Sequence, residues 1–543
     1  MRHESYSTTL PVLFLFLPQF TERIQKVSRN FDTQNVSTSN NVELMDRLIP
    51  LDELEPKSVD QVVKLPSFFD KIKKCEILLE TEYSGLEETI QNALVLRRLQ
   101  QITNTLMLNP IWKDMIESSG LKKTPRNFEE WQQLPMSDKT TMSELFMGSR
   151  PGLVVPLSYG GFEIVASGGT SSGLPVEMVY SLQELQDTYK IAGKFIGQHM
   201  LANYLAGDSP KWIATTLADF QMWSSGTMVG GVLQNIPGIN YLGAGPVMKE
   251  VYHHIMSYPG PKAIMAISAG IAILSELGIG LHEEARKSFR VAMYGSGVLP
   301  YRKQLELKEL YPNLEILSYF ATVQNEAIGL QLQSESPYLA TVPGLHLVEI
   351  VDSEGRWVKE GEEGELVVTR LHGHKAPFLR FKSGDRVIRR SNINTLELKT
   401  KQFEFLGRSG DVIHINDTQY SAPQVYASLC DQLNISDVFD LAALAHEVQF
   451  VNYRTKKTLQ LIVSVDNIKT LFLKIDNMLG REGIRRLFIQ SLVNSLSIFN
   501  IGEANVEYTE KSGYKFEIKL VERWSQDIYR TQVGKVPLIR DVF

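Results

Sequence analysis

Ala166-Ser167-Gly168-Gly169-Thr170-Ser171-Ser172-Gly173-Leu174-Pro175 is the stretch on which the reading of this chain turns. Glycines let backbone N–H groups turn toward an anion, and clustered Ser and Thr hydroxyls add uncharged donors, so a loop of this composition can cradle phosphates. Its flanks decide what kind of loop it is. Ile164-Val165-Ala166 and Val176-Glu177-Met178-Val179 read as strands, and a helix begins only at Ser181, where Glu184 three residues on predicts a capping box.

A loop between two strands is not a Walker loop, whose glycines lead directly into a helix and end in Gly-Lys-Ser/Thr. A strand-loop-strand hairpin can close over a triphosphate and open again, which suits expulsion of pyrophosphate. An ordinary Ser/Gly-rich turn is the competing reading of the segment taken alone.

Composition narrows the field. The 543 residues allow two or more domains, each with its own core. A net charge of -6 with mixed signs gives no electrostatic case for nucleic acid or an anionic membrane. Lys71-Ile72-Lys73-Lys74 sits among acidic neighbours and reads as a solvated helix face. Cys75 and Cys430 are the only cysteines, so neither a disulfide framework nor a four-cysteine zinc site can form, and a reducing cytosol fits. His372-Gly373-His374 and His253-His254 read as loop or surface histidines because no second cluster has ligand spacing. Ala263 to Leu274 falls short of the roughly 18 apolar residues of a membrane span and reads as buried core. Leu10 to Leu17 is apolar but bracketed by Pro11 and Pro18, and no cleavage pattern follows, so a disordered leader or a start site placed too early is expected.

Along the chain, residues 1–45 are polar and patternless, with Ser37-Thr38-Ser39-Asn40-Asn41 typical of disorder. Residues 46–150 have helical apolar spacing, as in Ala93-Leu94-Val95-Leu96-Arg97-Arg98-Leu99. Over residues 151–410 strands (Trp212-Ile213-Ala214, Ala263 to Ile267, Val291-Ala292-Met293) alternate with helices, as in an α/β domain with buried sheets. A β-rich subdomain closes this region, with Leu345 to Val351 and Gly364 to Thr369 bracketing the turn Asp352-Ser353-Glu354-Gly355. Residues 411–543 start afresh with Val412 to Ile415, then a helix, then Leu459 to Val465, then a helix and two strands: a small α+β unit able to move on its own.

Six further segments complete a pattern. They are Asn109-Pro110-Ile111-Trp112 with Asn127-Phe128 to Asp138-Lys139; Met222-Trp223-Ser224-Ser225-Gly226; Tyr294-Gly295-Ser296-Gly297; Leu317-Ser318-Tyr319-Phe320-Ala321-Thr322-Val323-Gln324-Asn325-Glu326; Pro377 to Asp385; and Phe405-Leu406-Gly407-Arg408-Ser409-Gly410, with Gly534-Lys535 near the end. In this order they resemble the adenylate-forming ligases, most of all the phenylacetate-CoA ligase branch, from about Asn92 onward. The resemblance implies an α/β fold: a large N-terminal domain of mostly parallel sheets with helices and a small β-rich subdomain, followed by a small mobile C-terminal α+β domain.

It also implies roles. Ser167, Gly168, Gly169, Thr170, Ser171, Ser172 and Gly173 would form the phosphate loop, although Leu174 stands where the family has Lys. Gly295 and Ser296 would lie beside adenine, with Tyr319 stacked on it and Thr322 on the α-phosphate. Asp385 would hold the ribose hydroxyls, as a carboxylate can accept from both, and Arg408 would pair with ribose or phosphate oxygens. Met222, Trp223 and Gly226 would line the acid pocket, with a core helix start as the alternative reading of that segment. Gly410 would be the hinge, and Lys535, with Thr170 and Thr322, the catalytic set. Val323 occupies the place of the family's magnesium-binding glutamate, which leaves Glu326 as the candidate ligand for Mg²⁺.

Adenylation brings a carboxylate to the α-phosphate of ATP while pyrophosphate departs, which calls for positive charge, N–H donors and positioning rather than acid/base groups. The resemblance therefore implies activation of a small carboxylic acid with ATP and Mg²⁺, then transfer to a thiol, coenzyme A in the leading reading. A carrier-protein thiol or an amine is the alternative acceptor, and a nucleotide-binding relative without turnover is the alternative class. No nucleic-acid or membrane partner is expected, and a cytoplasmic location is.

Overall fold

The computed structural model describes residues 37–121, 124–166, 176–207, 209–220, 222–297, 299–416, 418–433, 440–498, 513–531 and 536–543. From Ser37 to Phe146 these are helical. The helix Ser37–Leu48 begins inside the segment expected to be disordered, and Met45 and Leu48 on its inner side are buried in the first core. Its neighbours begin where the sequence supplies caps. Asn109 Oδ1 accepts from the Ile111 and Trp112 N–H groups at 3.0 and 3.4 Å, and Asp138 accepts from Thr141 N–H at 2.8 Å. Lys71 is not solvated: it is buried and pairs with Glu53 at 2.5 Å.

β1 (Phe162–Ala166) and β2 (Glu177–Ser181) form an antiparallel hairpin around the glycine-rich segment, which itself lies outside the described residues. Ser181 caps the following helix, Leu182–Phe195, by accepting from Glu184 N–H at 3.2 Å. The Glu184 carboxylate is buried 3.1 Å from Arg370 Nε, a cation far along the chain that neutralises it.

β3 (Trp212–Thr215), β4 (Asn240–Gly243), β5 (Lys262–Ile267), β6 (Phe289–Gly295) and the first half of β7 (Glu315–Thr322) run parallel. The second half of β7 pairs antiparallel with β8 (Asn325–Gln331), and β9 (Tyr338–Ala340), β10 (His346–Val351), β11 (Glu363–Arg370), β12 (Phe381–Asn394) and β13 (Lys399–Arg408) continue antiparallel. The β-rich part is therefore joined to the parallel part through β7 in one eleven-stranded sheet, of order β10-β11-β12-β13-β9-β8-β7-β6-β5-β3-β4. Period-two alternation sends Ala263 and Met265 of β5 into one core and Ile264 and Ala266 into another, because helices cover both faces.

Arg380 sews the N-terminal helices to this sheet. Fully buried, it pairs with Glu349 at 3.1 Å and donates to the carbonyls of Gln132 (2.6 Å), Leu134 (2.9 Å) and Gly355 (2.6 Å). His372 and His374, expected in a loop or on the surface, lie in the loop after β11 but are buried, and burial pushes their imidazoles down to about 3 and about 4.

β14 (Val412–Ile415) and β15 (Thr418–Ser421) begin the small unit as a hairpin. β16 (Glu447–Tyr453), β17 (Thr458–Val465), β18 (Lys515–Glu522) and β19 (Ile539–Val542) form its four-stranded sheet in the order β18-β17-β16-β19. The helices Ala422–Gln432 and Ile468–Ile498 contribute Val425, Leu429, Leu492 and Leu496 to its core. Among the described residues no helix is long and apolar enough to cross a membrane.

Candidate active site

Several of the expected site residues lie at strand ends of the large sheet: Gly295 at the end of β6 and Thr322 at the end of β7, with Asp385 and Arg408 on β12 and β13. Gly295 closes β6, where a Cβ would lie 2.9 Å from the Tyr319 carbonyl oxygen, so only glycine admits this approach of the two strand ends. Ser296 turns through φ +64°, and Ser268 donates to the Gly297 carbonyl at 2.7 Å, fixing the turn.

Thr322 ends β7, and its hydroxyl accepts from Asn325 N–H at 3.1 Å. Tyr180 of β2 donates to the Val323 carbonyl at 2.7 Å, and Ala166 N–H at the end of β1 donates to the Met222 carbonyl at 2.8 Å. Both stems of the glycine-rich hairpin are thus tied to segments that the sequence also marks: Thr322–Val323 on one side and Met222–Gly226 on the other.

The Met222 segment leads into the helix Ser225–Gln234. Asp219, to which no motif in the sequence points, caps it by accepting from Thr227 N–H at 2.9 Å and from its hydroxyl. Phe220 and Met222 are exposed, Met222 with φ +66°, and give this end of the site an apolar surface. A Cβ on Gly226 would meet Ala218 Cα and Asp219 N at 2.9 Å, and one on Gly231 would meet the Tyr189 ring at 2.5 Å, so small residues let the helix pack closely here.

Asp385 lies directly opposite Arg408 in the β12/β13 ladder. Its carboxylate is 1% exposed, accepts from Arg408 Nε at 3.0 Å on Oδ1, and has no partner for Oδ2, which is also buried. A buried, unpaired carboxylate oxygen costs stability unless a ligand donor satisfies it. Lys139 is brought to the same place, because Ser137 is bonded to β12 through Lys382 N–H at 2.8 Å and the Arg380 carbonyl at 3.1 Å. Burial, and then the Arg408 charge, hold its ammonium below the ordinary lysine range. In the sequence Lys139 merely ends the Asn127 to Lys139 motif and carries no role, since its neighbours in space are 246 and more residues away.

Tyr319 and Glu326 form an inward pair. Tyr319 is 2% exposed and its hydroxyl donates to Glu326, itself buried. Burial pushes the Glu326 carboxyl up to about 7 and the Tyr319 hydroxyl further up. A magnesium ligand needs an ionised oxygen open to water. The described residues do not fit Glu326 to that part.

Gly410 sits in the turn after β13 with open space where a Cβ would be and an ordinary φ. Gly407, near the end of β13, is the constrained residue, at φ +134°, and a Cβ on it would lie 2.5 Å from Pro423 Cγ. Ser167, Gly168, Gly169, Thr170, Ser171, Ser172, Gly173 and Lys535 lie outside the described residues. On the C-terminal side of Lys535, the Pro537 carbonyl accepts from the buried Gln449 of β16 at 3.0 Å.

No protein-family profile and no curated protein matches the sequence. Among solved structures, 2-hydroxyisobutyryl-CoA ligase in the postadenylation state in complex with 2-HIB-AMP is similar at a TM-score of 0.62, covering 85% of this chain and 91% of that one, with 16% identity. The same ligase in an open conformation with 2-HIB-AMP and CoA gives 0.54 over 85% and 93% at 16% identity. Its thioesterification state, with the same ligands, gives 0.50 over 84% and 91%, again at 16% identity. The fold is that of the adenylate-forming CoA ligases. It runs through both the large sheet and the small C-terminal unit, as the 85% coverage requires.

Proposed function

We propose that this chain is an AMP-forming acid–thiol ligase: it activates a small carboxylic acid with ATP to an acyl-adenylate and passes the acyl group to coenzyme A, in the manner of the phenylacetate-CoA ligase branch. The observation that carries the proposal is Asp385. One oxygen is held by Arg408 while the other is buried and orphaned, an arrangement suited to ribose hydroxyls. Gly295, Ser296 and Thr322 would supply backbone and hydroxyl groups, and Lys139 with Arg408 positive charge for phosphate oxygens. The stems of the hairpin are bonded to Val323 and Met222, and Phe220 and Met222 offer an apolar bed for the acid.

The better agreement with the neighbour's postadenylation structure than with its thioesterification structure supports a small-domain orientation of the first kind. Lys535 would then stabilise charge in adenylation and leave before thiol attack.

A direct test uses the ribose. Asp385→Ala is expected to weaken ATP binding by calorimetry about ten- to a hundredfold, since loss of a charge-assisted hydrogen bond costs roughly 1.5–3 kcal/mol. For the wild type, 2′-deoxy-ATP should bind correspondingly worse than ATP. Equal affinities for both nucleotides, with Asp385→Ala binding ATP as tightly as wild type, would remove the assignment.

A further inference from the structure

The small unit meets the large one along a seam of charges. Val465 of β17 and Glu522 of β18 are paired in register, so the next residues, Asp466 and Arg523, leave the small sheet side by side. Facing them, the helix Leu274–Leu277 presents Glu276 and the helix Tyr301–Leu310 presents Arg302. Arg523 pairs with Glu276, and Arg302 stands 3.9 Å from Asp466. Each side thus carries one cation and one anion, in the order that matches its partner. Turning or sliding the small unit would set like charges against each other, so the arrangement specifies one orientation.

Both halves are held in place from behind. Arg302 is 3.3 Å from Glu306 Oε1, and Lys303, nearly fully buried, is 2.5 Å from Glu306 Oε2. Asp466 is held by His446 Nε2 at 2.6 Å, and His446 is buried beside the short helix Leu441–Leu444. Glu306, His446 and Asp466 place one potential ligand atom each within 4.8 Å of one another. Arg302 and Lys303 already neutralise these carboxylates, so the group reads as an ion-pair seam and not as a metal site. The ion pairs within each half survive separation; among the described residues the ion pairs lost across this seam are Arg523–Glu276 and Arg302–Asp466, which suits a contact that forms and breaks.

We propose that these four charges are a conformational latch, which holds the small domain in the orientation described here and parts before the acyl group is transferred. The second clause rests on the two-step ligase reading above; the first does not.

Charge exchange tests it in the full-length chain. Arg523→Glu and Glu276→Arg each replace attraction by repulsion, and the double variant restores an ion pair of reversed polarity. A dye pair at Lys249→Cys and Lys515→Cys, in a Cys430→Ser background with Cys75 buried, reports the interdomain distance without reference to activity. Each single variant is expected to raise the population of the separated arrangement about two- to tenfold, the range an exposed ion pair and its reversal can supply. The double variant should return to within about twofold of wild type. Arg523→Gln, which removes the pair without repulsion, should fall between.

In the half-reactions, the singles should slow pyrophosphate exchange while sparing conversion of supplied acyl-adenylate to thioester. Unchanged distance distributions in the singles, or a double variant no better than the sum of its parts, would overturn the latch. Distances that respond as expected in a chain that exchanges no pyrophosphate with any acid would support the latch and overturn the ligase reading instead.

Discussion

Glu326 carries a prediction of its own because its environment sets its charge. Burial raises the carboxyl to about 7, while in the unfolded chain it titrates near 4.5. The folded state therefore keeps a proton that the unfolded state has released, and stability present at low pH is lost as pH rises through the folded value. Glu326→Gln keeps an acceptor for the Tyr319 hydroxyl and cannot ionise. Its thermal midpoint should match that of wild type near pH 4.5 and exceed it above about pH 7, by an amount worth at most about 3 kcal/mol. A difference constant across pH would show that ionisation is not the cause. Sequence reading turned to Glu326 as the carboxylate left nearby because Val323 holds the family's glutamate position; the buried face Glu326 takes follows from the pairing of β7 with β8, which spacing alone does not reveal.

At the scale of elements, the end of β13 and the turn after it hold two glycines that look alike in sequence. Gly407 has φ +134° and a side-chain position blocked by Pro423, whereas Gly410 has neither constraint. Gly407→Ala is expected to destabilise the chain by about 1–3 kcal/mol in denaturant unfolding, from backbone strain and the clash. Gly410→Ala should stay within about 0.5 kcal/mol of wild type. Comparable losses at both positions would refute the distinction. Gly410 keeps its proposed hinge role on another footing, since an unconstrained residue is free to change φ and ψ.

Elements with clean periodicity were legible: the hairpin stems, β5, β6 and β17 fall where alternation or a short apolar run places them. β16 was not. Its Gln449 and Asn452 are fully buried, and their amides are used up on Tyr529 and Pro537 carbonyls and on the His414 carbonyl and Asp541. A central strand with buried amides loses the apolar signature that marks a strand, and the partners that make this tolerable lie up to 89 residues away. Lys71 was misread for the same reason: local spacing offered a solvated face, while Glu53 offered neutralisation in the core.

For the whole molecule, the central claim is that one large sheet positions the nucleotide and that the small domain delivers Lys535 for one step only. The fold-level order of segments was readable because it does not depend on side-chain partners; the charge seam was not, because it is built from surface residues with no motif. The measurement that bears most directly on that claim is ATP–pyrophosphate exchange across a panel of carboxylic acids, run on wild type and Lys535→Ala. A lysine within about 4 Å of the reacting oxygens is worth about 4 kcal/mol at an effective dielectric near 20, a factor of several hundred to a thousand in rate. Wild type should exchange with at least one acid, and Lys535→Ala should lose that exchange by about this factor while still converting the supplied acyl-adenylate to thioester. Exchange at the wild-type rate in Lys535→Ala, or loss of both half-reactions together, would contradict it.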